Sequence, residues 1–166
     1  NETGFFLRGY YPMTALSDYM ESGLLHHVFR GQTFPKPENI AIALCSGVPV
    51  DSDTGVTIPE LPTGINGSGT GYSRYDLGDP SSAGNSFWSY ATADHNAGSG
   101  LIKNTNTFLF GTALIDWGWV SGLAIVDSGE YGSGNLLMYA ELGKPRVVYQ
   151  GDAPNFDASQ LQIKFK

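Results

Sequence analysis

The chain has 166 residues, enough for one domain with a single core, and 41% of them are hydrophobic. Nine Lys and Arg face sixteen Asp and Glu, a net charge of −7 that excludes a phosphate-tracking nucleic-acid surface. A single cysteine, Cys45, excludes an internal disulfide and a four-cysteine metal cage.

Residues 1–15 hold Phe5, Phe6, Leu7, Tyr10 and Tyr11, broken by Gly4, Gly9 and Pro12. Aromatic anchors without a helical or strand period cannot pack on themselves. The segment is expected to lie on its own core or to dock as an arm into a neighbouring subunit, with Phe5, Phe6, Tyr10 and Tyr11 at the interface. With Asn1 rather than Met first, the chain is expected to be trimmed, processed or incomplete at its start, and no signal-peptide pattern is present.

Residues 17–30 predict the one helix. Ser17 is suited to cap its first amides, Asp18 and Glu21 suit the positive end of the helix dipole, and Arg30 suits the negative end. Leu16, Met20, Leu24, His27 and Val28 recur at spacings of three and four, and Gly31 supplies a left-handed stop. From Asn39 the period becomes two: Ile40, Ile42 and Leu44 alternate with Ala41, Ala43 and Cys45, a strand buried on both faces. Residues 46–71 read as a long Gly/Pro/Ser/Thr/Asp loop.

Further strands are expected over 72–77, 87–90 and 105–110, the last with Phe108 and Phe110 on one face. A hairpin should join 119–127 to 136–142 across a Gly-rich tip, with Trp119, Leu123 and Ile125 set against Val120, Ala124 and Val126. Residues 147–149 and 160–165 complete the count, Leu161, Ile163 and Phe165 facing in and Gln162 and Lys164 out. The fold class is therefore mainly β: a single-domain antiparallel β-sandwich or barrel of seven or eight strands, with an N-terminal helix and an extended arm. The boundaries are 1–15 for the arm and 16–166 for the domain.

Little chemistry is encoded. His26 and His27 are adjacent, so their rings diverge by ~100° and cannot share a metal; His27 reads as a packing residue and His95 as part of a polar turn. No serine sits in a G-x-S-x-G elbow, and there is no P-loop or dinucleotide fingerprint. Asp51-Ser52-Asp53-Thr54-Gly55 fails as a calcium loop because the sixth and twelfth positions are Val56 and Pro62. No catalytic, metal or cofactor residues are assigned. Trp88 and Trp117 remain as a platform for a ligand such as a sugar, whereas Trp119 reads as core. No apolar run approaches the ~20 residues that span a bilayer.

Four blocks, in order, carry a family resemblance: "LSDYMESGLLHHVFRGQTFPKPENIAIAL", "GTGYSRYDL", "DWGWVSGLAIVDS" and "GNLLMYAELGKPRVVYQGDAPNF". Over residues 13–166 the chain resembles the small tailed-bacteriophage virion proteins commonly labelled phage tail-fibre protein. Members tend to begin near Met13, so residues 1–12 look like an addition, and the loop at 51–68 looks longer than usual. The resemblance implies a non-enzymatic structural protein located in the virion. Its partners would be other virion proteins, either the major capsid protein or tail proteins, in a homo-oligomer without nucleic acid or membrane. Capsid decoration (cement) and tail-fibre association both fit; a receptor- or carbohydrate-binding module is the alternative.

Overall fold

The computed structural model describes residues 11–13, 15–62, 69–82, 87–89 and 100–164. Within them lie one helix, α1 (Asp18–Arg30), and ten strands: β1 (Tyr11–Met13), β2 (Ala15–Leu16), β3 (Ile40–Cys45), β4 (Tyr75–Gly78), β5 (Leu101–Lys103), β6 (Phe108–Leu109), β7 (Gly118–Val126), β8 (Leu136–Val148), β9 (Asn155–Phe156) and β10 (Leu161–Lys164). The mainly β, sandwich-like class expected from the sequence is observed. The strand count exceeds seven or eight because pairs as short as β2, β6 and β9 carry too few residues to show a period.

The principal sheet has the order β2-β8-β7-β3-β4, every neighbour antiparallel. A three-stranded sheet runs β1-β10-β5, with β1 parallel to β10, and a two-stranded sheet joins β6 to β9. Strand alternation then decides what each face of the principal sheet touches. Ile42, Leu44, Leu123, Ile125, Met138 and Ala140 line one face and share a core with Phe108, Phe156 and Leu161 from the smaller sheets and with Phe110 just past β6. Rings close the seam: Tyr75 stacks on Phe108 at 4.8 Å, and Phe110 meets Phe156 edge-on at 6.1 Å.

The opposite face carries small side chains, Ala41, Ala43, Cys45 and Ala124, beside Val126, Leu136 and Ile58. Small residues there let residues 46–62 lie flat on the sheet. Gly122 shows how closely: a Cβ at that position would fall 2.5 Å from the Gly47 carbonyl oxygen. The expected long loop is thus, up to residue 62, a packed layer.

The helix begins and ends as its sequence dictates. Ser17 caps it by accepting from the Met20 amide at 3.2 Å, and Gly31 takes the left-handed conformation (φ 63°) at its end. Ser17 is fully buried, and its hydroxyl also donates to the Leu136 carbonyl. The Ser17 and Asp18 amides donate to Leu137 and Asp51, so the first turn is tied to both β8 and the loop. Met20 and Leu16 pack on the main core. Beyond that turn the helix buries nothing fully. His27, expected to pack, is exposed, its Nδ1 lying 3.0 Å from the Gln32 carbonyl where the chain turns back. Val28 is also exposed, because the sheet reaches only the first half of the helix.

Two further expectations change. Gln162 is buried rather than outward, because β10 is the central strand of its sheet, flanked by Pro12 and Lys103. Of residues 87–89, Trp88 forms an isolated bridge to Asn104, closed by the Ser89 amide donating to the Lys103 carbonyl and the Thr105 amide donating to the Phe87 carbonyl. Replacing Ser17 by Ala removes a helix cap and leaves a buried carbonyl without its donor, so the variant should lose about 2 kcal/mol in urea unfolding. A midpoint equal to that of the parent would show that the capping contacts contribute nothing.

Candidate functional site: an arginine clamp and two uncovered apolar surfaces

The long loop is fastened to the sheet by one side chain. Arg74 enters just before β4, its side chain wholly buried, and its five N–H donors are all used. Nε donates to both oxygens of Glu60 at 2.9 and 3.2 Å, and Nη2 donates to Glu60 Oε2 at 2.8 Å and to the Gly55 carbonyl at 2.7 Å. Nη1 donates to the Ser128 and Ser133 carbonyls at 3.0 and 2.8 Å. A planar, permanently charged fork is the side chain that can do this; lysine has neither the donors nor the geometry. Three segments are thereby joined: the loop at 55–60, the approach to β4, and the β7–β8 hairpin tip.

Tyr72 completes the cluster, its hydroxyl donating to Glu60 Oε1 at 2.7 Å and accepting from the Leu44 amide at 3.1 Å. Burial and the neighbouring Glu60 charge hold the Tyr72 phenol well above its ordinary value of 10. Burial, reinforced by Glu60, also pushes the Cys45 thiol up from its ordinary value of 9. Both protons are retained in the folded chain and released more easily on unfolding. The stability they add is complete below pH 9 and is lost as pH rises above 9 for Cys45 and above 10 for Tyr72. A buried, protonated thiol is unreactive, which makes Cys45 a packing residue.

This cluster is structural; large apolar side chains stand exposed in two other places, which are the candidate contact surfaces. The first is the outer face of α1. Leu25, Val28 and Phe29, at helical spacing, are 56%, 65% and 79% exposed. On the other side of the helix the loop after Gly31 folds back and seats the Phe34 ring on Gly23, where a Cβ would overlap the ring at 2.3 Å. Phe34 also tilts against Tyr19 at 5.4 Å, and open clefts of about 500 and 410 Å³ flank this ridge.

The second surface is the ribbon formed by the start of β7 and the end of β8. Trp119 pairs with Val147 and is 59% exposed, as is Tyr149 two residues further along. Leu114 and Ile115 are exposed in the segment that leads into β7.

The residues singled out from sequence fall as follows. Phe5, Phe6 and Tyr10 lie outside the described residues, and so does His95. Tyr11 has its backbone in β1, paired with Leu161. Trp88 packs against the core with its ring edge-on to Phe108 at 5.8 Å. Trp117 is only 4% exposed, edge-on to Tyr72 at 5.4 Å, with its indole N–H donating to the Thr70 carbonyl at 2.7 Å. The tryptophan that faces solvent is Trp119. Residues 117 and 119 share a side in an unbroken strand, but Gly118 between them adopts φ 82° and turns the chain over. Asp53 accepts from the Val50 amide and the Thr57 hydroxyl, so it holds a turn. Among the described residues no cluster of His, Cys, Asp and Glu is arranged to hold a metal, and no helix is long and apolar enough to cross a membrane.

Substituting Glu60 by Leu or Arg74 by Met alone should each cost about 3–5 kcal/mol in urea unfolding, since each leaves a buried charge without its partner. The paired substitution Glu60→Leu with Arg74→Met should recover part of that loss, and strictly additive costs would refute the coupling. In a pH series, stability should fall from pH 9 upward, with Cys45→Ala weakening the onset; a flat profile to pH 11 would contradict the assignment.

No curated protein matches the chain. Residues 15–164, all but the first fourteen and last two, match the sequence model of the family described as Podophage GP4 fiber I protein gp80, so the chain belongs to that family and is a phage virion structural protein.

Proposed function

We propose that this protein is a non-enzymatic, fibre-associated component held on the particle in multiple copies by protein–protein contacts, with the outer face of α1 as the principal contact. The observation that carries this reading is a 13-residue helix without one buried side chain that presents Leu25, Val28 and Phe29 together to solvent. A soluble domain gains nothing by exposing three large apolar residues in a row, whereas burying each against a neighbour is worth ~1.5–3 kcal/mol. Residues 1–15, with Phe5, Phe6, Tyr10 and Tyr11 as anchors, extend the contact; their end at β1 and β2 is joined to the sheets through β10 and β8. Weak single contacts suffice where a symmetric particle offers many sites at once.

The family description favours fibre association over capsid decoration, and copy number separates the two. Quantitative staining of purified particles should give tens of copies on the fibre reading, against hundreds for a capsid decoration. Leu25→Ser and Phe29→Ser change exposed positions, so each purified variant should keep its unfolding midpoint within about 0.5 kcal/mol. Incorporation into particles should nevertheless fall sharply. Particles that carry both variants at parental copy number would refute the helix as the contact.

A further inference from the structure

The aromatic ribbon at the far end of β7 and β8 is a different surface from the helix and has a different chemistry. Trp119 in β7 and Tyr149, the residue after β8, are each 59% exposed, and the two strands are locked there by the Trp119–Val147 pairing and by the Trp117 amide donating to the Val148 carbonyl at 2.9 Å. Neighbouring aromatic residues on paired strands usually stack on each other. These two make no ring contact among the described residues, and each leaves more than half of its surface to solvent.

Two carboxylates border them. Asp116 accepts from the Gln150 amide at 2.8 Å through Oδ1, and Asp152 accepts from the Tyr149 amide at 2.9 Å through Oδ2. Each carboxylate is held in place by one oxygen, while the other has no partner among the described residues. Rigid aromatic tiles with fixed acceptors at their edge suit a ligand with apolar C–H faces and a rim of hydroxyl donors. Two local carboxylates on a chain of net charge −7 repel polyanions. We propose that Trp119 and Tyr149, with Asp116 and Asp152, form a binding site for a neutral glycan. In it, sugar rings stack on the two side chains and their hydroxyls donate to the free carboxylate oxygens.

The full-length chain is screened on immobilised neutral and anionic bacterial oligosaccharides, and the neutral glycans it retains are titrated by tryptophan fluorescence with acrylamide as quencher. Trp119 is the exposed tryptophan among three, so bound glycan should shield it from acrylamide. Trp119→Ala and Tyr149→Ala should each weaken binding at least about ten-fold, and Asp152→Asn by a smaller factor, while Phe29→Ser leaves it unchanged. Both aromatic positions are exposed, so near-UV circular dichroism should report an intact core in each variant. Failure to retain any neutral glycan at millimolar concentration overturns the proposal, as does affinity that survives both aromatic substitutions or retention of anionic glycans alone. Loss of the Trp119→Ala chain from particles, without glycan binding by the parent, would mark the ribbon as a protein-docking face and equally overturn it.

Discussion

The Arg74 guanidinium is the point on which the arrangement turns. A loop rich in Gly, Pro and Ser has only the single Glu60–Cys45 bridge to the sheet to order it, and fixing each residue costs on the order of 1–2 kcal/mol in backbone entropy. Here the ordering comes from three carbonyls and one carboxylate converging on a single buried cation. The pairing is not a large net source of stability, because both charges were taken out of water to make it. Its effect is specificity: carbonyls of residues 55, 128 and 133 can meet one fork only if loop, β4 and hairpin tip are in register. Gly55 is required for the same reason, since a Cβ there would sit 2.1 Å from the Ser133 carbonyl oxygen.

The clamp depends in turn on the uneven faces of the principal sheet. Ile42 and Leu44 point to the smaller sheets, and Ala41, Ala43 and Cys45 point to the loop. Large residues on the second face would lift residues 46–62 beyond reach of Arg74. One strand therefore serves two packing distances by its alternation alone, a thick core on one side and a thin covering layer on the other. Glu60 closes the circuit, because it bridges to Cys45 as backbone and to Arg74 and Tyr72 as side chain.

What could be read from sequence followed from local chemistry. Ser17 and Gly31 mark the helix to within one residue, because capping involves neighbours a few positions apart. The β3 alternation and the β7–β8 hairpin were legible for the same reason, and "GTGYSRYDL" identified the stretch whose Tyr72 and Arg74 build the clamp. Long-range pairing was not legible: nothing near Tyr11 reports that it runs parallel to Leu161, and nothing near Gln162 reports a strand on each side. Nor was the exchange of roles between Trp117 and Trp119. The alternation that placed Trp119 inside assumes an unbroken strand, but the left-handed Gly118 and the register shift between Val120 and Gly122 each break it. A glycine between two tryptophans was the available signal, and its meaning depends on a dihedral angle that the sequence does not state.

The helix shows why such a scaffold can expose apolar surface and still hold its form. Thirteen residues in water are a marginal helix, and in most proteins a buried face makes up the difference. This one has no fully buried side chain. It is held instead by its ends and its back: Ser17 and the Asp18 amide fix the first turn, Gly31 closes the last, and the Phe34 ring lies where Gly23 leaves room. Mid-helix glycine costs ~1 kcal/mol relative to alanine, and the aromatic contact it permits offsets that loss. Because the restraints avoid the outer face, the backbone that carries Leu25, Val28 and Phe29 is already helical while their side chains stay open to solvent. On the docking role proposed for that face, burying them would cost side-chain rotamer freedom but little backbone entropy.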